Sequence, residues 1–225
     1  MKLAPEGYPF IVGSLTITVI IGILAKIWVA LIPLLLTIFM FYFFRDPERE
    51  IPEGEGLFVS PADGKIILIK NAGKDTLPPI PSLLRGGGEG EKDTDRGFIE
   101  ISIFMSPFNV HVNRAPCDGK IKGVQHNKGK FMAAYKDEAS FKNENIEMTL
   151  KTKYGDILVR QVAGYVARRA VCRANAGDSL RRGERYGIIK FSSRLDVYLP
   201  EETAIKVKLC DKVKAGESIL GLISN

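Results

Sequence analysis

Residues 60–66 read SPADGKI, and 55 positions later residues 115–121 read APCDGKI. A second related pair, GDSLRRGE at 177–184 and CDKVKAGE at 210–217, lies 33 positions apart. Asp-Gly before an apolar run favours a tight turn into a strand, because glycine accepts positive φ and aspartate caps its own backbone. Repeated turn-and-strand units therefore predict a mainly β fold with pseudo-symmetric halves.

Short β-branched runs outside these repeats also predict strands. They cover Gly64–Lys70, Phe98–Met105, Asp156–Tyr165 and Ala204–Leu209. The D-x-V/L-x-x-G-E pattern of the second pair is similar to turns of biotinyl- and lipoyl-type modules, which implies a barrel-sandwich-like domain. Residues 133–139 are a candidate short helix, and the Pro- and Gly-rich residues 74–96 predict an excursion without a core of its own.

The N-terminal part of the chain is apolar. Between Phe10 and Phe44 the only charged residue is Lys26. Residues 1–44 are therefore expected to form a membrane-associating helical segment: a tight hairpin, a re-entrant wedge, or one tilted helix with Lys26 snorkelling. Residues 45–225 would form the globular domain.

Composition limits the classes of protein further. The three cysteines include no CxxC pair, which argues against a disulfide framework or a structural zinc site and favours a reducing cytoplasm. The net charge of +6 fits a domain resting on anionic headgroups at the cytoplasmic face of the cell membrane. No basic run is interleaved with aromatic residues, so nucleic acid is not expected as a partner.

Ser192 and Ser193 lie side by side between two apolar runs. A serine at a strained turn can attack the preceding carbonyl through its Oγ, and β-elimination of the resulting ester then breaks the chain. The dehydroalanine that remains hydrolyses to a pyruvoyl group, whose ketone can form a Schiff base with an amine and accept electrons during decarboxylation. Two ordinary turn serines are the alternative interpretation.

Several separated motifs resemble the small phosphatidylserine decarboxylase family, the short bacterial and archaeal subgroup that includes archaetidylserine decarboxylases. These motifs are FRDP at 44–47, SPADG at 60–64, MSPFNVHVNRAP at 105–116, GYVARR at 164–169 and the segment 182–200. They occur in the family's order and span nearly the whole chain.

The resemblance implies self-cleavage between Ser192 and Ser193. The products would be a β chain, residues 1–192, and an α chain, residues 193–225, paired as a heterodimer or in a higher oligomer. Ser193 would become the covalent pyruvoyl cofactor, with no metal required. The implied reaction converts a serine-headed phospholipid, phosphatidylserine or archaetidylserine, to the ethanolamine-headed lipid.

The sequence departs from the family pattern in two places. Ser192 stands where glycine is usual, which leaves open an unprocessed and inactive relative. Larger members carry H-x-x-H where this chain has His111 and Arg114, so their Asp-His-Ser relay does not transfer intact. We expect Asp63 and His111 to flank Ser193, with His111 as base or proton shuttle and Asp63 orienting it. The alternatives are a turn aspartate and a core histidine.

Arginines are the candidate substrate-binding residues. Arg168 and Arg194 could clamp the lipid phosphodiester or the serine carboxylate, whereas Arg169 fits a solvated face equally well. A membrane-tethered lipoyl- or biotinyl-like carrier or scaffold remains a different functional class. Its modified lysine would have to be Lys212, which lies in only a loose match to the carrier motif.

Overall fold

The computed structural model describes residues 2–25, 27–72, 97–129, 143–164, 170–190 and 193–224. The chain divides into a helical unit, Met1–Glu48 with Pro107–Val110, and a β unit, Arg49–Ser106 with His111–Asn225. The expected excursion at 74–96 and the short helix at 133–139 lie outside the described residues.

The helical unit is a hairpin. A 3₁₀ turn (Pro5–Gly7) leads into α1 (Tyr8–Leu24), and α2 (Ile27–Phe43) returns beside it. The strands β1 (Lys2–Leu3) and β2 (Arg45–Asp46) pair antiparallel and bring the two ends together. Within the hairpin the hydroxyls of Thr18 and Thr37 lie 3.3 Å apart. The structure therefore contains two antiparallel helices in a hairpin and not the single tilted helix that the sequence also allows.

Most apolar side chains of the hairpin face outward. Pro5–Leu24 is 20 residues long with a mean hydropathy of 1.9, which is long and apolar enough to cross a bilayer, whereas Ile27–Phe43 is shorter. Residues such as Ile23, Leu24, Trp28 and Ile32 are at least three-quarters exposed. A water-soluble protein rarely exposes so large an apolar surface.

The β unit contains fourteen strands among the described residues. They are β3 (Leu57–Val59), β4 (Gly64–Ala72), β5 (Phe98–Met105), β6 (Val112–Arg114), β7 (Gly119–Asn127), β8 (Asn145–Thr152), β9 (Gly155–Ala163), β10 (Ala170–Cys172), β11 (Ser179–Leu180), β12 (Arg185–Ile189), β13 (Ser193–Pro200), β14 (Ala204–Ile205), β15 (Lys212–Val213) and β16 (Ile219–Leu222). One curled eight-stranded sheet has the order β11-β7-β8-β9-β13-β5-β4-β15, and two three-stranded sheets have the orders β10-β12-β6 and β14-β16-β3.

The strand order is symmetric about the β9–β13 pair, which confirms the predicted pseudo-symmetric halves. Each half contributes four strands to the large sheet and one three-stranded sheet. The ladder of β4 with β5 shifts register between Ile66 and Leu68, and that of β7 with β8 shifts between Ile121 and Gly123, again 55 positions later. The sequence repeats thus mark structurally equivalent turns and bulges.

One half of the β unit is inserted, in sequence, between two parts of the other half. Strands β6–β12 form one half without a break, whereas the other half is made of β3–β5 and β13–β16. The chain therefore passes between the halves twice, once between β5 and β6 and once between β12 and β13. The second crossing leads directly into Ser193.

One predicted strand is too long. Residues 204–209 were expected to be extended, but β14 ends at Ile205. The chain turns at 208–211, where the Asp211 carboxylate accepts a hydrogen bond from the Lys208 backbone N–H at 2.8 Å and Cys210 takes a φ of 74°. The local side-chain cap thus overrides the β propensity of the preceding residues.

The core lies between the large sheet and the two small ones. Ile101, Val159 and Val197 come from one face of the large sheet, and Phe58 and Ile189 come from the small sheets. This packing confirms a mainly β, barrel-sandwich-like domain.

Candidate active site

Ser193 begins β13, one of the two central strands of the large sheet. It pairs with Met105 at the end of β5 and with Ala163 at the end of β9. The side chain is fully buried, and its Oγ donates a hydrogen bond to Met105 Sδ at 3.4 Å. A rigid sheet therefore holds the first residue after the expected cleavage point, whereas Ser192 lies outside the described residues.

The strand register brings Asp63 to the same end of the sheet as Ser193. Asp63 immediately precedes β4, whose Lys65 pairs with Phe104 of β5. Since β4 and β13 both border β5, their backbones lie about 10 Å apart. The expected association of Asp63 with Ser193 is thus compatible with the sheet geometry.

The described contacts of Asp63 are structural ones. Its carboxylate accepts hydrogen bonds from Arg49 Nη2 at 2.8 and 3.0 Å and from the Ala215 backbone N–H at 2.8 Å. The equivalent Asp118 accepts a hydrogen bond from the Arg182 backbone N–H, also at 2.8 Å. Asp63 therefore caps a turn as its repeat does, and in addition it forms a buried ion pair with Arg49, a partner that the sequence patterns did not indicate.

His111 is fully buried at the start of β6. Its carbonyl accepts a hydrogen bond from the Ile189 backbone N–H at 3.3 Å, and Val112 pairs with Ile188 of β12. Strand β12 leads through residues 190–192 to Ser193. His111 directly precedes β6 and Ser193 begins β13, so each expected catalytic residue stands where the chain enters a strand after passing from one half to the other.

A buried amide pair shares the Ser193 face of the sheet. Asn113 Nδ2 donates to Met105 Sδ at 3.9 Å, and Gln161 Nε2 donates to Asn113 Oδ1 at 2.8 Å. Gln161 Oε1 is buried with no hydrogen-bond partner among the described residues. The motif analysis missed this pair, although polar residues within otherwise apolar strands are a usable signal.

Glycine in β12 makes room for the amide pair. A Cβ on Gly187 would lie 3.0 Å from Gln161 Nε2 and 2.3 Å from the Val171 carbonyl oxygen. A side chain there would push Gln161 from its place. The polar cluster beside Ser193 therefore depends on a close backbone approach that only glycine permits.

Arg194 points away from this cluster. Successive side chains of a strand alternate between faces, so Arg194 lies on the face opposite Ser193. It is fully buried and donates to Asp196 at 2.5 Å, to Ser102 at 2.8 Å and to Glu100 at 3.3 Å. Only Nη1 lacks a partner among the described residues. These contacts favour a structural role over the expected substrate clamp, and Arg168 lies outside the described residues.

The ion pairs around Arg194 perturb protonation. Burial alone would lower the pKa of the Arg194 guanidinium, but the charges of Asp196 and Glu100 raise it. Burial and the neighbouring Asp196 raise the pKa of the Glu100 carboxyl, despite the opposing effect of Arg194. The arginine thus stays charged, whereas the charged form of Glu100 is disfavoured by its surroundings.

A raised carboxyl pKa predicts a pH-dependent stability. The contribution of Glu100 to the free energy of unfolding is fully present below its unfolded pKa and is lost as the pH rises through the folded pKa. Near pH 4 we expect Glu100→Gln to have the same melting temperature as the unchanged protein. At pH 8 we expect its melting temperature to be higher than that of the unchanged protein. Thermal unfolding of the full chain in detergent at both pH values measures the difference.

Glu202→Gln, at an exposed turn, is the control for lost charge. It should shift the melting temperature equally at both pH values. A Glu100→Gln protein that is less stable at pH 8 than at pH 4, relative to the unchanged chain, would show that the ion pair with Arg194 outweighs the cost of burial.

A cavity of about 580 Å³ lies elsewhere in the β unit. It reaches Thr152, which pairs with Gly155 at the start of β9, about 26 Å along the strand from Ala163. Burial, together with the charge of Asp118, raises the pKa of the lining Cys117 thiol to about 12. The cavity therefore contains no activated cysteine and is separate from the Ser193 cluster.

Comparisons with known proteins identify the family of the chain. A family model described as phosphatidylserine decarboxylase matches residues 36–221. The chain is 45% identical to a phosphatidylserine decarboxylase proenzyme of Geobacter metallireducens, over 98% of this chain and 96% of the relative. It is 43% identical to that of Syntrophus aciditrophicus over 97% and 96%, and 42% identical to that of Chlorobaculum tepidum over 98% of each.

These matches, together with the β fold, define an enzyme of the decarboxylase class, a lyase. The chain belongs to the phosphatidylserine decarboxylase family. The relatives are named proenzymes, which implies an active form produced by processing of a precursor.

Proposed function

We propose that this protein removes the carboxylate of a serine-headed phospholipid, phosphatidylserine or archaetidylserine, after cutting itself between Ser192 and Ser193. The placement of Ser193 carries the proposal: a buried serine at the first position of a central strand, next to a chain crossing. The relatives' names supply the substrate class.

Maturation would start with His111 taking the Oγ proton of Ser193. Oγ then bonds to the carbonyl carbon of Ser192, His111 passes the proton to the nitrogen of residue 193, and the bond between that carbon and that nitrogen breaks. Loss of the Cα proton of residue 193 and departure of the Ser192 carboxylate leave dehydroalanine, to which water adds while ammonia leaves. Asp63, which caps the turn before β4, would orient His111.

The residues around Ser193 fit the resulting pyruvoyl group. The Ser193 side chain is buried, and Gln161 Oε1 is a buried acceptor without a partner among the described residues. Such an acceptor matches the ammonium of the substrate serine. The ketone supplies an electron sink for cleavage of the carbon–carbon bond. His111 would return a proton to the carbon that loses CO₂, and Arg168 would bind an anionic group of the lipid.

The strand pairing of the large sheet supports the expected α–β heterodimer. Strand β13 is hydrogen-bonded to β5 from Ser193 to Pro200 and to β9 from Ser193 to Tyr198. Strand β15 pairs with β4 and strand β16 pairs with β3, which adds contacts between the two fragments. The fragment 193–225 would therefore stay in place after its peptide link is cut.

The helical hairpin supports attachment to the cell membrane. Its apolar side chains are exposed, and Pro5–Leu24 is long enough to span a bilayer. The three cysteines are unpaired, which fits a cytoplasmic location of the β unit.

Intact mass of the purified protein tests the proposal. We expect two fragments, of 192 and 33 residues, and a smaller fragment whose first residue carries a ketone in place of an amine. Hydroxylamine, which reacts with ketones, should add to that fragment and abolish decarboxylation of phosphatidylserine vesicles. An unbroken chain that still decarboxylates the lipid would refute the mechanism, and an unbroken inactive chain would identify an unprocessed relative.

The carrier alternative finds less support. Lys212 lies within β15, paired with Lys65, whereas a carrier lysine is displayed at a hairpin tip. An acylated Lys212 on an unbroken chain would nevertheless be visible in the same mass spectrum and would favour the carrier.

A further inference from the structure

The helical unit includes four residues from the middle of the chain. Pro107–Val110, within the crossing from β5 to β6, belongs to this unit and not to the β unit. The Phe108 ring is 67% exposed and makes an edge-on contact with Phe39 of α2, with ring centroids 6.5 Å apart. The outward apolar surface of the hairpin therefore continues onto this loop.

Two side chains at the end of α2 hold the loop. The Phe108 carbonyl accepts a hydrogen bond from Arg45 Nη2 at 2.7 Å and another from the Tyr42 hydroxyl at 3.2 Å. Arg45 also donates to the Tyr42 carbonyl at 2.7 Å, and its guanidinium lies 3.9 Å from the centre of the Tyr42 ring. Charge-assisted and cation–π contacts of this kind fix a loop more firmly than neutral ones. The arginine of the FRDP motif thus has a described role.

The chemistry of the loop matches a bilayer surface. Aromatic rings and an arginine at the end of an apolar helix are typical of the boundary between acyl chains and headgroups. Among the described residues outside the two helices, only Phe108 and Leu209 are large hydrophobic side chains that are exposed. Phe108 is the one that adjoins the apolar hairpin.

We propose that Phe108 inserts into the lipid bilayer and that Arg45 and Tyr42 are positioning residues that hold its loop there. This inference rests on the proposed function. Phe108 is three residues after Met105, which accepts the Ser193 hydrogen bond, and three residues before His111. The loop that Phe108 would anchor therefore lies, along the chain, between Met105 and His111.

Photo-crosslinking tests the lipid contact directly. Phe108→p-benzoylphenylalanine, in the full chain in vesicles of phosphatidylglycerol and phosphatidylcholine, should give a lipid adduct on irradiation. The same substitution at Leu209 is the matched control, and we expect at least about tenfold less adduct there. Equal adduct at the two positions, or none at Phe108, would overturn the proposal whether or not the chain is a decarboxylase.

Kinetics test the positioning role. With phosphatidylserine vesicles, Phe108→Asp and Arg45→Gln should each raise KM about tenfold, and Arg45→Lys, which keeps a charged donor, should recover most of that change. With a dispersed short-chain substrate the same variants should change kcat/KM by about twofold or less. Leu209→Asp should leave both substrates unaffected.

The split between substrates separates positioning from a general loss of structure. Equal losses on vesicles and on the short-chain substrate, or no rescue by Arg45→Lys, would refute the role of Arg45. A wild-type chain that shows neither cleavage nor decarboxylation would instead refute the proposed function, and the crosslinking result would stand independently of it.

Discussion

Ser193→Ala is expected to leave the 24.9 kDa chain intact and to abolish decarboxylation. Alanine has no Oγ, so neither the ester nor the new ketone can form. The activity should fall by at least about 10⁴-fold, because the entire catalytic group is absent. Electrophoresis after long incubation and release of CO₂ from phosphatidylserine vesicles measure the two effects.

The fold should tolerate this change. Ser193 is buried, and its described side-chain contact is the weak hydrogen bond to Met105, so the loss should cost about 1 kcal/mol or less. Ser179→Ala, at an exposed position of strand β11, is the matched control and should be cleaved and active. A Ser193→Ala chain that is still cut at the same bond would place the nucleophile elsewhere.

Asp63→Asn and Asp118→Asn form a pair in which only one variant should fail. Both asparagines keep an acceptor for the backbone N–H that each aspartate caps. Asp63→Asn additionally leaves the buried Arg49 with Glu217 alone, which should lower the free energy of unfolding by about 3 kcal/mol. If Asp63 orients His111, self-cleavage should slow about 100-fold, whereas Asp118→Asn should change it by about twofold or less.

A double variant separates the two roles of Asp63. Arg49→Met with Asp63→Asn removes the unpaired buried charge and should recover most of the lost stability. Self-cleavage should remain slow, because the orienting carboxylate is still missing. Recovery of the cleavage rate together with stability would show that Asp63 acts only as a structural residue.

The fold was largely predictable because short local sequence motifs determine its turns. The Asp-Gly turns at 63–64 and 118–119 recur with the same spacing as the equivalent bulges. The way in which one repeat interrupts the other could not be predicted, because it depends on pairing between strands far apart in sequence, such as β5 with β13. Strand β14 was overestimated because the cap by Asp211 acts through a side chain.

The candidate site was predictable only in part. The resemblance to the family made Ser193, His111 and Asp63 the expected catalytic residues, but it gave no partner for Asp63, since Arg49 lies beyond any local pattern. Proximity to Ser193 in sequence made Arg194 a candidate for binding, whereas strand alternation places it on the opposite face among Glu100, Ser102 and Asp196. Asn113 and Gln161 become neighbours only through the contact between β6 and β9.

The interior position of β13 determines the order in which folding and the proposed cleavage can occur. A free 33-residue fragment would have two open strand edges, so it is a poor candidate to find its place again once released. If the chain is cut before Ser193 as proposed, folding would have to precede cutting, and the cut would make any later unfolding irreversible. The working lifetime of the mature enzyme should therefore be governed by the rate at which it unfolds, and not by an equilibrium between folded and unfolded chains.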